Sequence, residues 1–127
     1  MTRARFEELV EETLRGIPRR FRDAMQNVAV VVEDVPPPHA LADMEPGEEL
    51  FGLYEGIPLP ERGSSYGNTL PDRISIYQTS IEEGCDDDDE IRKCVWETVI
   101  HEFGHYFGMT EGEIEEIEEK YWRGKGI

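Results

Sequence analysis

The sequence predicts an α/β chain of the α+β type, built from a few strands and several amphipathic helices. Two observations carry this prediction. Apolar residues recur at helical spacing in the first 16 residues and again after residue 86. Between these regions, short runs rich in β-branched and aromatic residues are typical of strands. Because the 127 residues contain neither an internal repeat nor a linker, we expect one domain, residues 1–127.

The first element is predicted to be a helix over residues 2–16. Its apolar residues are spaced by three and four positions, and glutamates occupy the other side. Thr2 can cap the first turn, while Gly16 and Pro18 end the helix. The side chains expected to face the core are Phe6, Leu9, Val10, Thr13, Leu14 and Ile17.

Three segments have the composition of strands. Residues 27–33 form a continuous β-branched run, so we expect a central strand covered on both faces. Residues 50–54 are a second candidate. Residues 73–78 alternate between apolar and polar side chains, which predicts a strand with one face on the core. The intervening residues 56–72 are rich in Gly, Pro and Ser and predict a long loop.

A long helix is expected to follow the acidic run at residues 86–90 and to end near Phe107. Because carboxylates favour the positive end of a helix, we interpret this run as a solvated N-terminal cluster rather than a metal site. Gly108 is placed for a left-handed C-terminal turn. Thr110 and Glu113 then have the spacing of a capping box, which predicts a last helix through residue 121.

Composition narrows the range of partners. With 29 acidic and 13 basic residues, the net charge is −16, which disfavours nucleic acid and anionic membranes and favours basic peptides or metal ions. No apolar run approaches the roughly 18 residues that span a bilayer. The N-terminal residues lack the apolar stretch of a signal peptide. We therefore expect a cytoplasmic protein in which Cys85 and Cys94 are free thiols.

The chemistry-bearing residues are concentrated in the segment His101-Glu-Phe-Gly-His105 of the long helix. Histidines at positions i and i+4 lie on one helix face and can share a metal ion, and imidazole suits zinc. The carboxylate of Glu102 lies beside this face, where it can take a proton from a metal-bound water. The spacing thus predicts His101 and His105 as zinc ligands and Glu102 as the catalytic general base.

The other residues of this helix indicate that its core-facing side and its histidine-bearing side are different faces. An apolar stripe of Trp96, Val99, Ile100, Phe103 and Phe107 can face the core without either histidine. Gly104 costs about 1 kcal/mol relative to alanine inside a helix, so we expect a packing reason for it.

A catalytic zinc has three protein ligands and an open position, so a third ligand is needed. No histidine follows His105, and His39 lies far upstream in a proline-rich segment. Glu111 comes directly after the predicted turn at Gly108 and is the favoured third ligand. Glu115, one helical turn further on, is the alternative.

The segment from His101 to Glu111 resembles the extended motif of metzincin-type zincin metallopeptidases, with glutamate where metzincins usually have His or Asp. The chain as a whole resembles the minimal zincin family of small bacterial zinc metallopeptidases. This wider resemblance rests on the same motif and on the order of segments 6–10, 28–33, 52–56 and 70–74. It implies a small mixed sheet with the active-site helix packed across it, flanking helices, and an acidic residue at position 111.

We therefore expect a zinc-dependent peptidase-type hydrolase in which a zinc-bound water, activated by Glu102, attacks a bond of a peptide or protein substrate. The alternative is a non-catalytic zinc-binding module that binds protein segments. An RNA hydrolase is disfavoured by the missing third histidine and the negative charge. In zincins the substrate lies along an edge strand, here residues 50–54 or 73–78. Tyr54, Arg62 and Tyr66 are candidate oxyanion donors.

Overall fold

The computed structural model describes residues 1–17, 19–24, 27–42, 50–56, 60 and 71–124. Within these residues it has the mixed α+β fold that the sequence predicts, with a three-stranded sheet and six helices. In chain order the elements are α1 (Arg3–Gly16), α2 (Arg19–Ala24), β1 (Val28–Glu33), α3 (Pro38–Leu41), β2 (Gly52–Glu55), β3 (Asp72–Tyr77), α4 (Gln78–Glu83), α5 (Asp88–Tyr106) and α6 (Glu111–Gly124).

The strand order is β1-β3-β2, which makes β3 the central strand. β1 runs parallel to β3, with Val28 opposite Asp72, whereas β2 runs antiparallel to it, with Gly52 opposite Ile76. The expectation that residues 27–33 form the central strand is therefore wrong, because β1 lies at an edge of the described sheet. Its continuous apolar run reflects half-buried side chains packed on the core rather than pairing on both sides.

The expectation of one solvent face on β3 is also wrong. Ile74 and Ile76 are fully buried, but so are Ser75 and Tyr77 on the opposite face. The alternation predicted a half-buried strand because serine and tyrosine are polar. Ser75 is nevertheless small, and its hydroxyl accepts a hydrogen bond from Arg73 Nε at 3.1 Å, which lets it be buried. Residues 50–54 and 73–78 were the two candidates for an edge strand that binds substrate. Because β3 is central, β2 is the one of the two that lies at an edge.

Helix α1 forms as predicted. The Thr2 side chain accepts a hydrogen bond from the backbone N–H of Arg5 at 3.1 Å, which caps the helix. Its buried side chains pack against α5 and contribute to the main hydrophobic core. They are Phe6, Leu9, Val10 and Thr13, followed by Ile17 just after the helix.

Helix α5 begins in the acidic run, which serves as its N-terminal cap. Asp87 Oδ1 accepts a hydrogen bond from Glu90 N at 2.8 Å, and Glu90 Oε2 accepts one from Asp86 N at 2.6 Å. This confirms the interpretation of the run as a helix start. Of the predicted stripe, Val99 and Phe103 are buried, whereas Trp96, Ile100 and Phe107 are only half-buried. The buried arc differs from the prediction because the sheet, α1 and α6 all contact this helix. It includes Ile91, Val95, Thr98, Val99, Glu102, Phe103, Gly104 and Tyr106.

The connection between α5 and α6 is a tight turn around Gly108, whose φ of +73° is in the left-handed region. Gly108 N donates to His105 O at 3.0 Å, and Met109 N donates to Gly104 O at 2.9 Å. The two hydrogen bonds form a Schellman motif that ends α5. Thr110 and Glu113 then exchange side-chain and backbone hydrogen bonds, both 3.2 Å, as the predicted capping box requires.

Gly104 has the packing role that its position in a helix predicts. A Cβ atom at this position would lie 2.6 Å from Ile114 Cδ1 and would also overlap Ile114 Cγ1. Ile114 is only 1% exposed, so it has little room to move aside. The glycine therefore allows α6 to pack directly on α5.

We expect Gly104→Ala to destabilise the protein by up to about 2 kcal/mol. The gain of about 1 kcal/mol in helix propensity offsets only part of an overpacking cost that reaches about 3 kcal/mol in a filled site. Chemical denaturation measures the difference. Gly112→Ala in α6 is the matched control, since a Cβ at this position would have nothing within 4 Å, and it should be neutral or slightly stabilising. Equal stabilisation by both substitutions would contradict the close packing of the two helices.

No helix of the described residues is long and apolar enough to cross a membrane. Cys85 and Cys94 are free thiols, as expected. Burial raises the pKa of Cys94 to about 11, so its thiol is protonated at neutral pH. Most of the predicted loop at residues 56–72 lies outside the described residues.

Candidate metal centre

Helix α5 brings His101 and His105 onto one face, one turn apart, with their ring centroids separated by 4.8 Å. Both side chains are partly exposed, at 34% and 38%, and therefore accessible to a small ligand. One ligand atom from each of His101, Glu102 and His105 lies within 4.8 Å of the others. The predicted motif thus forms a compact group of metal-ligating side chains.

Glu111 approaches this group from α6, because the turn at Gly108 folds the chain back. Its Oε2 lies 3.4 Å from His101 Nε2, and its Oε1 lies 3.3 Å from His105 Nε2. Glu115 is exposed. In the part of the chain that the structure describes, it forms no ion pair with His101 or His105. Of the two carboxylates that the sequence left open, the structure brings Glu111 to the histidines.

The donor set and its spacing fit a zinc ion. Donors about 2.0–2.1 Å from one tetrahedral zinc lie about 3.3–3.4 Å apart. The two distances between Glu111 oxygens and histidine Nε2 atoms are 3.4 and 3.3 Å. Two imidazoles and a carboxylate also form the type of three-ligand set that leaves the fourth position of a catalytic zinc open.

Glu102 is only 8% exposed. Burial raises the pKa of its carboxyl to about 7, and the nearby Glu111 adds to this rise. His101 and a hydrogen bond from the backbone of Tyr54 act in the opposite direction. A pKa near neutrality suits a group that must both accept and release a proton.

The edge strand β2 lies directly against Glu102. A Cβ on Gly52 would meet Thr98 Cγ2 at 2.6 Å and Glu102 Cγ at 3.3 Å. The absence of a side chain at Gly52 therefore lets β2 approach α5 closely enough for the Tyr54 backbone to reach the Glu102 carboxylate. In this way the sheet orients the predicted general base.

The surroundings of His105 favour the neutral ring. Burial lowers the pKa of His105, and the neighbouring His101 lowers it further, whereas Glu111 raises it. A metal-binding imidazole must be deprotonated at the coordinating nitrogen. The environment of His105 thus favours the form that can bind a metal ion.

Glu118 is a residue at the site that the sequence analysis did not identify. Its Oε1 lies 3.6 Å from His101 Nδ1, and its side chain is 22% exposed. The available signal was its position seven residues after Glu111, which places both on one face of a helix. That signal is weak in a helix with glutamates at many positions.

Two of the other candidates, His39 and Tyr54, have partners other than the histidines. His39 Nε2 lies 3.4 Å from Glu55 Oε2 on an exposed surface. The Tyr54 hydroxyl donates a hydrogen bond to Asp72 Oδ2. Two further candidate oxyanion donors, Arg62 and Tyr66, lie outside the described residues.

A cleft of about 340 Å³ opens beside the metal-ligating group. The start of β2 forms one side of it, and α5 and α6 form the other. His101, Glu102 and Glu118 line the cleft together with Phe51 and Gly52. The candidate centre is therefore reached from a surface depression large enough to hold part of a peptide chain.

Comparison with known proteins agrees with this geometry. No curated protein matches the chain. A solved structure, a conserved hypothetical protein from Thermus thermophilus, is similar with a TM-score of 0.60 and 28% sequence identity, covering 84% of this chain and 94% of that chain. The model of the zincin-like metallopeptidase family matches residues 25–121. Because this match spans most of the chain and includes the entire candidate centre, the chain belongs to the zincin-like metallopeptidase family.

Proposed function

We propose that the protein is a zinc-dependent peptidase-type hydrolase. In this proposal His101, His105 and Glu111 hold the zinc ion, and Glu102 is the general base. The observation that carries it is the Glu111 carboxylate, which lies within 3.4 Å of both histidine Nε2 atoms, next to a buried Glu102. The family membership supports the same assignment.

A bound zinc ion supplies Lewis-acid chemistry, polarising a carbonyl and lowering the pKa of water from about 15.7 to about 7. The remaining steps belong to the chain. Glu102 accepts a proton from the attacking water and returns it to the leaving amine of the cleaved peptide bond. The backbone of Tyr54 holds the Glu102 carboxylate in place, and in the metal-free protein burial raises its pKa to about 7.

The substrate is a peptide or protein segment that occupies the cleft between β2 and the two C-terminal helices. We expect basic segments to be preferred, since the net charge is −16 and Glu97 and Glu118 both line this cleft. Opposite charges raise the rate of encounter more than they raise affinity. Nucleic acid and anionic membranes are not expected as partners, and a cytoplasmic location remains a prediction.

The experiment that tests this function is a peptide-library digestion with untagged protein purified without chelator. We expect cleavage products that disappear on treatment with a zinc chelator and return when one equivalent of zinc is restored. Libraries with basic and acidic residues around the cleavage site measure the charge preference. If zinc is bound but no library is cleaved, the peptidase proposal fails and the non-catalytic protein-binding module becomes the better account.

A further inference from the structure

We propose that Glu118 is a positioning residue of the metal centre, whose carboxylate holds the Nδ1 proton of His101 and so directs Nε2 toward the metal. This inference rests on the proposed zinc site but adds a residue to it. Glu118 belongs to neither the HExxH segment nor the set of three ligands.

The two nitrogens of His101 face different carboxylates. Its Nε2 lies 3.4 Å from Glu111 Oε2, while its Nδ1 lies 3.6 Å from Glu118 Oε1. A neutral imidazole has one N–H donor and one acceptor nitrogen, so it can present a lone pair on only one side. A carboxylate beside Nδ1 favours the proton there and leaves the Nε2 lone pair for a metal.

Glu118 is better placed for this role than for solvent contact. Its side chain is 22% exposed, compared with 62% for Glu111 on the same helix. A partly buried charge is screened less by water and salt than an exposed one. The separation of 3.6 Å is that of an ion pair, and a carboxylate shift of about 0.5 Å would bring it within hydrogen-bond range.

The two histidines differ in their carboxylate partners. His105 has Glu111 as a partner at Nε2. Among the described residues, no carboxylate forms an ion pair with its Nδ1. Only His101 has a carboxylate at both ring nitrogens within this part of the chain. Glu118 is therefore expected to affect zinc affinity through His101 alone.

The test is zinc affinity, measured by competition with a chromophoric chelator. Glu118→Ala should weaken zinc binding about 10- to 100-fold, as is typical when the partner of a metal-bound histidine is removed. Glu118→Gln should fall between wild type and Glu118→Ala, because its amide oxygen can still accept the Nδ1 proton without carrying a charge. Glu116→Ala is the matched control, since it removes the same charge from an exposed position on the same helix.

A spectroscopic measurement separates positioning from a general structural effect. In zinc-loaded wild type and Glu116→Ala, ¹⁵N NMR should show His101 protonated at Nδ1, with slow exchange of that proton. In Glu118→Ala the exchange should be faster. Circular dichroism confirms folding, and Glu118→Gln remains informative if the alanine variant does not fold.

The outcomes distinguish this inference from the proposed function. If wild type binds zinc and cleaves peptides but Glu118→Ala binds zinc equally tightly, only the role of Glu118 is overturned. Equal losses in Glu118→Ala and Glu116→Ala would point to overall charge and would also overturn it. If wild type binds no zinc while correctly folded, the proposed function and this inference both fail.

Discussion

Replacing Glu102 with glutamine should lower the rate of peptide hydrolysis by about 10²–10⁴-fold, the usual contribution of a general acid–base residue, while zinc remains bound. Glutamine preserves the size of the side chain and can still accept the hydrogen bond from the Tyr54 backbone. It cannot take the proton of the attacking water. Library-derived peptide substrates measure the rate, and elemental analysis measures the zinc content.

The loss of activity should not come from unfolding. In the metal-free protein, burial raises the pKa of Glu102 to about 7, so the native state binds this proton more tightly than the unfolded state does. The stability that this proton contributes is present at low pH and is lost as pH rises through about 7. Glutamine stays uncharged at every pH, so it avoids the cost of burying an ionised carboxylate. The variant should therefore be at least as stable as wild type at pH 8. Asp89→Asn is the control for charge, because Asp89 is exposed on α5 and does not line the cleft. Full activity of Glu102→Gln would exclude Glu102 as the base.

Replacing Glu111 with alanine should weaken zinc binding by more than the factor of about 10–100 expected for an outer partner of a ligand. Its carboxylate lies 3.4 Å from His101 Nε2 and 3.3 Å from His105 Nε2, so alanine removes one of three converging donors. Helix α6 should persist, because its capping box is formed by Thr110 and Glu113.

The matched variant for this prediction is Glu115→Ala, which removes an equal charge one helical turn away. It should leave the dissociation constant for zinc nearly unchanged, since the Glu115 side chain is exposed and does not pair with the histidines in the described ion pairs. Chelator competition on both variants decides between the two carboxylates. A larger loss with Glu115→Ala would reverse the assignment of the third ligand.

Features that depend on neighbours along the chain were predicted well from the sequence. The placement of His101 and His105 on one face follows from the helical period alone. The turn at Gly108 and the capping box of α6 follow from residues that are at most three positions apart. Glu111 could be predicted as a ligand because only that turn separates it from His105.

Features that depend on packing between distant segments were predicted less well. The central position of β3 is determined by pairing with β1 and β2, and hydrophobic patterns do not identify pairing partners. The contact between Glu118 and His101 depends on how α6 is oriented on α5. That orientation comes from the packing of Ile114 on Gly104, which spacing along the sequence does not reveal.

The turn between α5 and α6 has a thermodynamic consequence for the C-terminal helix. Two of the proposed donors belong to α5 and one to α6, so an ion bound to all three would act as a clasp between the helices. An ion at about 100 times its dissociation constant stabilises the state that binds it by about 2.7 kcal/mol. Metal supply would then govern how tightly α6 closes over the buried surface at Gly104, and amide hydrogens of this helix would exchange more slowly in the loaded protein.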